Sequence, residues 1–278
     1  MELRYYMPRS DLRDYVRAYY FYSADVASSE TLCAELGNIR VILRGGGMLQ
    51  MPGGQLEPSM SAFLLGPTLG SYNLMIEPKT AVFGVGIRPE GWHALFGVSA
   101  EELADKVIDL TAFAGGILMS SIEEIRNAET LAEMSAAADR YFVDQLNKRH
   151  GHIRQRYPVE LANWLLDPND LGLDALMEAM DVSRRQTDRL AKLYFGASPK
   201  FLQRKYRALR AADRIRAGET AWMNVAGSKF YDQSHFIKEF KTFIGVTPKQ
   251  FIDNQARLIA QIQQMRVQSA LQIPLASF

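Results

Sequence analysis

The feature that most constrains the fold is a pair of short helix–break–helix patterns in the second half of the chain. They cover residues 173–199 and 221–248, and each ends in Gly-x-Ser/Thr-Pro. In both, an apolar helix is followed by a tight break, a capping residue and a helix with a polar leading edge. Between them, the basic segment 199–218 has the periodicity of one long helix. This order predicts two helix-turn-helix units held apart by a rigid linker helix.

Helical patterns continue through the chain beyond residue 158. Asp, Ser, Gly or Pro stands at each break, as expected at helix ends. The predicted helices cover residues 158–167, 172–180, 184–195, 199–217, 220–228, 233–243 and 248–268. We therefore predict an all-α domain of seven helices over residues 155–268, with a charged linker near 148–158.

The first hundred residues have a different pattern, in which strand-like runs are bounded by turn residues. Helical periodicity begins at about residue 89, and residues 120–149 have the spacing of one amphipathic helix. The strand-like runs lie at 15–24, 38–47, 61–68, 71–78 and 80–89. The whole chain is thus predicted to be α+β, with a β-rich regulatory or dimerisation domain and its helical extension over residues 1–150.

The two halves of the chain carry opposite net charge. Residues 1–150 have 13 Lys+Arg against 19 Asp+Glu, a net charge of −6, and residues 151–278 have 19 against 12, a net charge of +7. A basic half indicates a polyanion such as double-stranded DNA as its partner. Excess charge of this size also occurs simply for solubility, so charge alone leaves the partner open.

Several classes of protein are disfavoured by composition. The single cysteine, Cys33, excludes an internal disulfide and a multi-cysteine metal site. The apolar runs are too short to span a bilayer, and the charged N-terminus lacks the apolar core of a signal peptide. No Ser/His/Asp order, Cys/His pair or paired-acid motif supports an enzyme. We expect a cytoplasmic protein with no catalytic site, metal, cofactor or membrane contact.

The second helix of each unit carries the candidate DNA contacts. Arginine can bond two acceptors of guanine in the major groove, and free N–H groups at a helix N-terminus favour phosphate. We expect Asp232 to cap the later helix and Phe236, Phe240 and Phe243 to lie in the core. The candidate contacts are Arg184, Arg185, Asp188, Arg189 and Lys192 in the first unit, and Gln233, Ser234, His235, Lys238 and Lys241 in the second.

Alternatives stand beside several of these assignments. His235 has no second histidine at helical spacing, which disfavours a metal or catalytic role and favours an exposed helix tip. Arg204, Lys205 and Arg210 are expected on a solvated face within reach of phosphate.

Three polar residues in apolar, strand-like settings are candidates for an effector pocket in the N-terminal half. They are Asn38, Arg40 and Arg88. Exposure to water, or pairing with internal partners, is the alternative for each of them.

These stretches resemble a known family. DQSHFIKEFKTFIGVTPKQF (232–251) resembles the second helix-turn-helix of AraC/XylS transcription regulators, and residues 180–215 resemble the first unit and its linker helix. RPEGWHALFGV (88–98) resembles part of a regulatory domain found in some members. The resemblance implies a bipartite domain that places two recognition helices in successive major grooves. It also implies a structural role for Arg207, in an internal salt bridge.

The resemblance further implies the partners. They are double-stranded DNA, RNA polymerase and an effector, a small molecule or a protein, acting through the N-terminal domain. The oligomeric state is open, with helices between residues 99 and 149 as the candidate contact of a homodimer. The chain departs from the family at Lys229 and Phe230, where a turn glycine is usual. An alternative is therefore a protein-interaction module whose altered second helix-turn-helix unit no longer recognises a specific DNA sequence. An enzyme that carries such a domain is disfavoured by the lone cysteine.

Overall fold

Antiparallel strands within residues 2–109 form two sheets. The computed structural model describes residues 1–113, 116–148, 156–219 and 232–254. One sheet has the strand order β1-β2-β9-β4-β7-β10 and the other β3-β8-β5-β6. The strands are β1 (Glu2–Tyr6), β2 (Val16–Ala24), β3 (Ser28–Leu32), β4 (Asn38–Arg44), β5 (Gly47–Gln50), β6 (Leu56–Pro58), β7 (Ala62–Leu65), β8 (Tyr72–Ile76), β9 (Thr80–Ile87) and β10 (Val107–Asp109).

Strand β4 shows why the six-stranded sheet is buried on both faces. Successive side chains of a strand point to opposite faces. Ile39 and Val41 join an apolar cluster with the neighbouring helices, whereas Ile42 joins the cluster that lies between the two sheets. The even-numbered side chains before it, Asn38 and Arg40, are also buried.

Five helices follow the sheets, as the change of periodicity at residue 89 predicts. They are α1 (Pro89–Phe96), α2 (Ala100–Leu103), α3 (Leu110–Phe113), α4 (Gly116–Asn127) and α5 (Leu131–Lys148). The prediction of one helix over residues 120–149 is wrong. The Glu133 carboxylate accepts from the backbone N–H groups of Glu129 and Thr130, each at 3.0 Å, and so begins a new helix at Leu131. We call the strands and these five helices the sheet body.

The C-terminal helices begin and end within two residues of the predicted bounds wherever the structure describes them. The predicted helix at 220–228 lies outside the described residues, as do the linker near 148–158 over most of its length and the end of the last helix. The described helices are α6 (Arg156–Leu166), α7 (Leu173–Met180), α8 (Arg184–Phe195), α9 (Pro199–Arg216), α10 (Gln233–Ile244) and α11 (Pro248–Asn254). Within the described ranges, no helix combines the length and the apolar character that crossing a bilayer requires.

Helix α9 is the axis around which the C-terminal helices pack. Its residues Leu202, Leu209 and Ile215 belong to one apolar cluster that also takes in side chains from α6, α7, α8, α10 and α11. Asp170, which is 7% exposed, accepts hydrogen bonds from Arg207 and Arg210 of the same helix. The internal salt bridge predicted for Arg207 is therefore confirmed.

Lys205, also in α9, joins the C-terminal helices to the sheet body. It is 1% exposed, and its Nζ donates to the backbone oxygens of Thr68 at 2.7 Å and Glu35 at 3.0 Å. Burial lowers the pKa of Lys205 to about 8, while nearby negative groups, including Glu35 and Asp105, partly offset that effect. The prediction of a solvated, phosphate-facing Lys205 is wrong, because the sheet body covers this side of the helix.

The depressed pKa of Lys205 predicts a pH dependence of stability. Between pH 8 and about pH 10.4 the folded chain holds a neutral amine while the unfolded chain holds an ammonium. The unfolded state then binds more protons, so the free energy of unfolding rises with pH in this window, by at most about 1.4 kcal/mol per pH unit from this group. Urea unfolding at pH 7.5, 8.5 and 9.5 should show this rise in the wild type relative to Lys205→Met.

The matched control for Lys205 is Lys200→Met, which removes an exposed lysine from the same helix. The difference in the free energy of unfolding between the wild type and this control should stay constant with pH. An equally flat difference for Lys205→Met would contradict a neutral buried amine.

Candidate nucleic-acid interface

Helix α8 has a cap at each end and a clear division into buried and exposed faces. The Ser183 hydroxyl oxygen accepts from the Gln186 backbone N–H at 3.4 Å, and Gly196 ends the helix with φ +84°. Leu190 and Ala191 are buried among the C-terminal helices. Arg184, Arg185 and Arg189 are exposed.

Helix α10 has the same construction, as the sequence predicts. The Asp232 carboxylate accepts from the His235 backbone N–H at 2.8 Å, and Gly245 ends the helix with φ +93°. Phe236, Phe240 and Phe243 are all at most 1% exposed, which confirms the prediction that they lie in the core. The exposed side chains are those of Gln233, Ser234, His235, Lys238 and Lys241. His235 thus lies on the exposed first turn.

Eight of the ten candidate DNA contacts are exposed, and the other two are engaged within the protein. The Lys192 ammonium lies 3.1 Å from a Glu101 carboxylate oxygen of the sheet body and 3.6 Å from Asp188. The hydrogen bond that the Lys192 ammonium donates to Glu101, and then the negative charge of that carboxylate, raise the pKa of Lys192. The carboxylate at Glu101 was not foreseen from the sequence, since no pattern pairs residue 101 with residue 192.

A buried carboxylate fixes α10 to the linker helix. Glu239 is 4% exposed and accepts two hydrogen bonds from Arg204, at 2.7 and 2.8 Å. Burial alone would raise the pKa of Glu239, but these bonds and the Arg204 charge hold it below its usual value. Arg204 is paired with Glu239 but keeps a side chain that is 40% exposed. Arg210 is paired with Asp170 and its side chain is only 14% exposed, so the prediction of a solvated face is wrong for Arg210.

Lys229 and Phe230, which stand where a turn glycine is usual, lie outside the described residues. Within the described ranges, no group of three or more His, Cys, Asp or Glu side chains is arranged to hold a metal ion.

Both recognition helices end against the sheet body. At the end of α10, the backbone oxygens of Thr242 and Phe243 accept from the N–H groups of Ser71 at 3.0 Å and Ala34 at 2.7 Å. At the end of α8, the Ser99 hydroxyl donates to the Lys192 carbonyl at 3.5 Å.

The C-cap glycines make this contact close. A Cβ at Gly245 would stand 2.2 Å from Thr31 Cγ2, and one at Gly196 would stand 3.0 Å from Pro67 Cγ. The sheet body therefore abuts the last turn of each recognition helix.

Two of the three candidate effector residues lie together inside the sheet body. Arg40 is 7% exposed; its Nε donates to Asn38 at 3.0 Å and its Nη2 to the Tyr72 hydroxyl at 2.7 Å. The Glu35 carboxylate accepts from both Arg40 and Tyr72. Arg88 stands apart from this group as the exposed N-cap residue of α1. Their role in effector binding stays a prediction.

Glu35 is the point at which this network meets the C-terminal helices. Its side chain is held by Arg40 and Tyr72, and its backbone oxygen accepts from Lys205. The adjacent Ala34 bonds to Phe243, and Leu36 belongs to the apolar cluster of the C-terminal helices. Residues 34–36 thus contact both the Arg40 network and the helices α9 and α10.

Comparison with known proteins assigns both halves of the chain. Residues 176–254 match a family described as a helix-turn-helix domain, and residues 4–109 match a domain of unknown function, DUF6597. The HTH-type transcriptional regulator GbdR of Pseudomonas aeruginosa, in strains UCBPP-PA14 and PAO1, is 26% identical in an alignment of 155 residues that covers 50% of this chain and 42% of GbdR. This chain therefore spans less than half the length of the curated relatives it matches.

Solved structures of ToxT from Vibrio cholerae are similar over much of the chain. One at 1.65 Å resolution has 11% sequence identity and a TM-score of 0.48, covering 84% of this chain and 97% of that one. ToxT of strain SCE256 bound to an unsaturated fatty acid has 13% identity and a TM-score of 0.47, covering 84% and 93%. The helix-turn-helix domain matched at residues 176–254 agrees with the resemblance of this part of the chain to AraC/XylS transcription regulators.

Proposed function

We propose that this protein is a sequence-specific DNA-binding transcription regulator in which α8 and α10 enter the major groove and the sheet body controls their access to DNA. The observation that carries the proposal is the matched pair of capped helices, each with a buried apolar face and an exposed polar face. Within this pair, α8 presents three exposed arginines and α10 presents two exposed lysines. The first unit is therefore proposed to supply most of the base discrimination.

Control by the sheet body is supported by its contacts with both recognition helices. Glu101 holds Lys192, which the DNA-binding proposal assigns to the groove-facing side of α8. A carboxylate at this place competes with phosphate for the ammonium and repels the DNA backbone. We propose that an effector shifts this balance through Glu35, whose side chain and backbone join the Arg40 network to Lys205.

Two further partners belong to the same proposal. Contact with RNA polymerase and pairing of two copies through helices between residues 99 and 149 stay predictions.

The first experiment is selection of bound sequences from randomised duplexes by the full-length chain. Affinity for the selected site should then fall steeply as salt is raised, since each phosphate contact releases counterions.

Substitutions in α8 test the reading helix directly. Arg185→Ala and Arg189→Ala should each lower affinity for the selected site by about 1–3 kcal/mol, because each arginine is assigned a guanine edge. Affinity for an unrelated duplex should fall less. Arg4→Ala, which removes an exposed arginine from β1, is the control and should bind as the wild type does. Unchanged affinity and sequence preference in both α8 variants would refute the assignment.

The Glu101 contact provides a test of control. Glu101→Gln should tighten DNA binding by about two- to fivefold, since an exposed ion pair of this kind is weak but competes directly with phosphate. The matched control is Glu102→Gln, which removes the same charge from the neighbouring exposed position of α2. Fluorescence anisotropy with the selected duplex would measure both. Equal affinities for the two variants would contradict a specific competition for Lys192.

A further inference from the structure

Helices α8 and α10 correspond position by position. Each has twelve residues, a side-chain cap at its N-terminus and a glycine of positive φ at its C-terminus. Ser183 of one helix matches Asp232 of the other, and Gly196 matches Gly245, without insertion or deletion. The two helices can therefore be compared side chain by side chain.

The buried and exposed positions also coincide. The second, fifth, sixth and ninth residues form one stripe, because positions three and four apart share a helix face. In α8 this stripe is Arg185, Asp188, Arg189 and Lys192; in α10 it is Ser234, Ile237, Lys238 and Lys241. The fourth, seventh, eighth and eleventh residues are buried in both helices.

The fifth position distinguishes the two stripes. In α8 it is Asp188, whose carboxylate lies 3.6 Å from Lys192. In α10 it is Ile237, whose large apolar side chain is 37% exposed in the middle of a stripe that is otherwise polar and basic. Asp188 offers an acceptor to a base edge, whereas Ile237 offers only methyl and methylene groups.

We infer that Ile237 contacts the C5-methyl group of a thymine, so that the second helix reads an A·T pair by apolar contact. The inference rests on the proposed function. The thymine methyl is the apolar feature that base pairs present in the major groove, and apolar side chains recognise it there. Lys238 and Lys241 flank Ile237 on the same face and supply the charge complementarity to the phosphate backbone that marks DNA as the occupant.

The test removes only the methyl group. Each thymine of the selected site is replaced in turn by deoxyuridine, and affinity for the full-length chain is measured. At one thymine the wild type should lose about fourfold in affinity, the value expected for one buried methyl group. Ile237→Ala should bind the thymine site more weakly than the wild type and should bind the thymine and deoxyuridine sites equally. Alanine favours helix, so this variant should keep its fold, which circular dichroism would verify.

Val159→Ala is the matched control. Val159 is an apolar residue of α6 that is 39% exposed and lies outside the stripe, so this variant should keep the fourfold sensitivity. If the wild type binds its site but no deoxyuridine substitution weakens it, or if the loss persists in Ile237→Ala, the inference is overturned while DNA binding stands. In that case the apolar side chain is left for a protein partner. If no sequence is selected at all, the proposed function fails and the inference with it.

Discussion

The arrangement of this protein depends on a single buried amine. Lys205 enters the sheet body from the linker helix and donates to two carbonyl oxygens, those of Glu35 and Thr68. A lysine at 1% exposure is costly unless its donors are satisfied, and here two of them are. Because the same helix carries the apolar contacts of both helix-turn-helix units, fixing α9 on the sheet body also fixes where α8 and α10 stand. The linker helix is thus both the spacer between α8 and α10 and their attachment to the sheet body.

Local chemistry explains why much of the recognition surface was predictable. Three sequence features each specify a structural feature within one helix, and all three occur as expected. They are Asp232 before a polar turn, phenylalanines at helical spacing and the glycine of Gly-x-Thr-Pro. Lys205 and Arg210 were misassigned for the opposite reason. Their partners, Glu35 and Asp170, are 170 and 40 residues away in the sequence. A basic residue at a helical position gives the same sequence pattern whether a distant element covers it or water does. The site residues assigned to DNA reading remain predictions, whereas their exposure is a property of the fold.

The two reading helices share a backbone plan and differ in chemistry. One is rich in guanidinium groups, which form paired hydrogen bonds with guanine, and the other combines lysines with an isoleucine. A bipartite domain with such unequal halves would draw its specificity from different kinds of contact at two neighbouring grooves. The sheet body reaches the ends of both helices, so whatever moves it acts on both halves at once.

The glycines that end α8 and α10 are each subject to two separate constraints. Gly196 and Gly245 have the positive φ that a helix C-cap favours; in addition, a Cβ at Gly245 would overlap Thr31, and one at Gly196 would press closely on Pro67. Intolerance to substitution at either position would therefore have two superimposed origins, one in the reading unit itself and one in its docking. A homologue that lacks the docked arrangement would retain the first and lose the second.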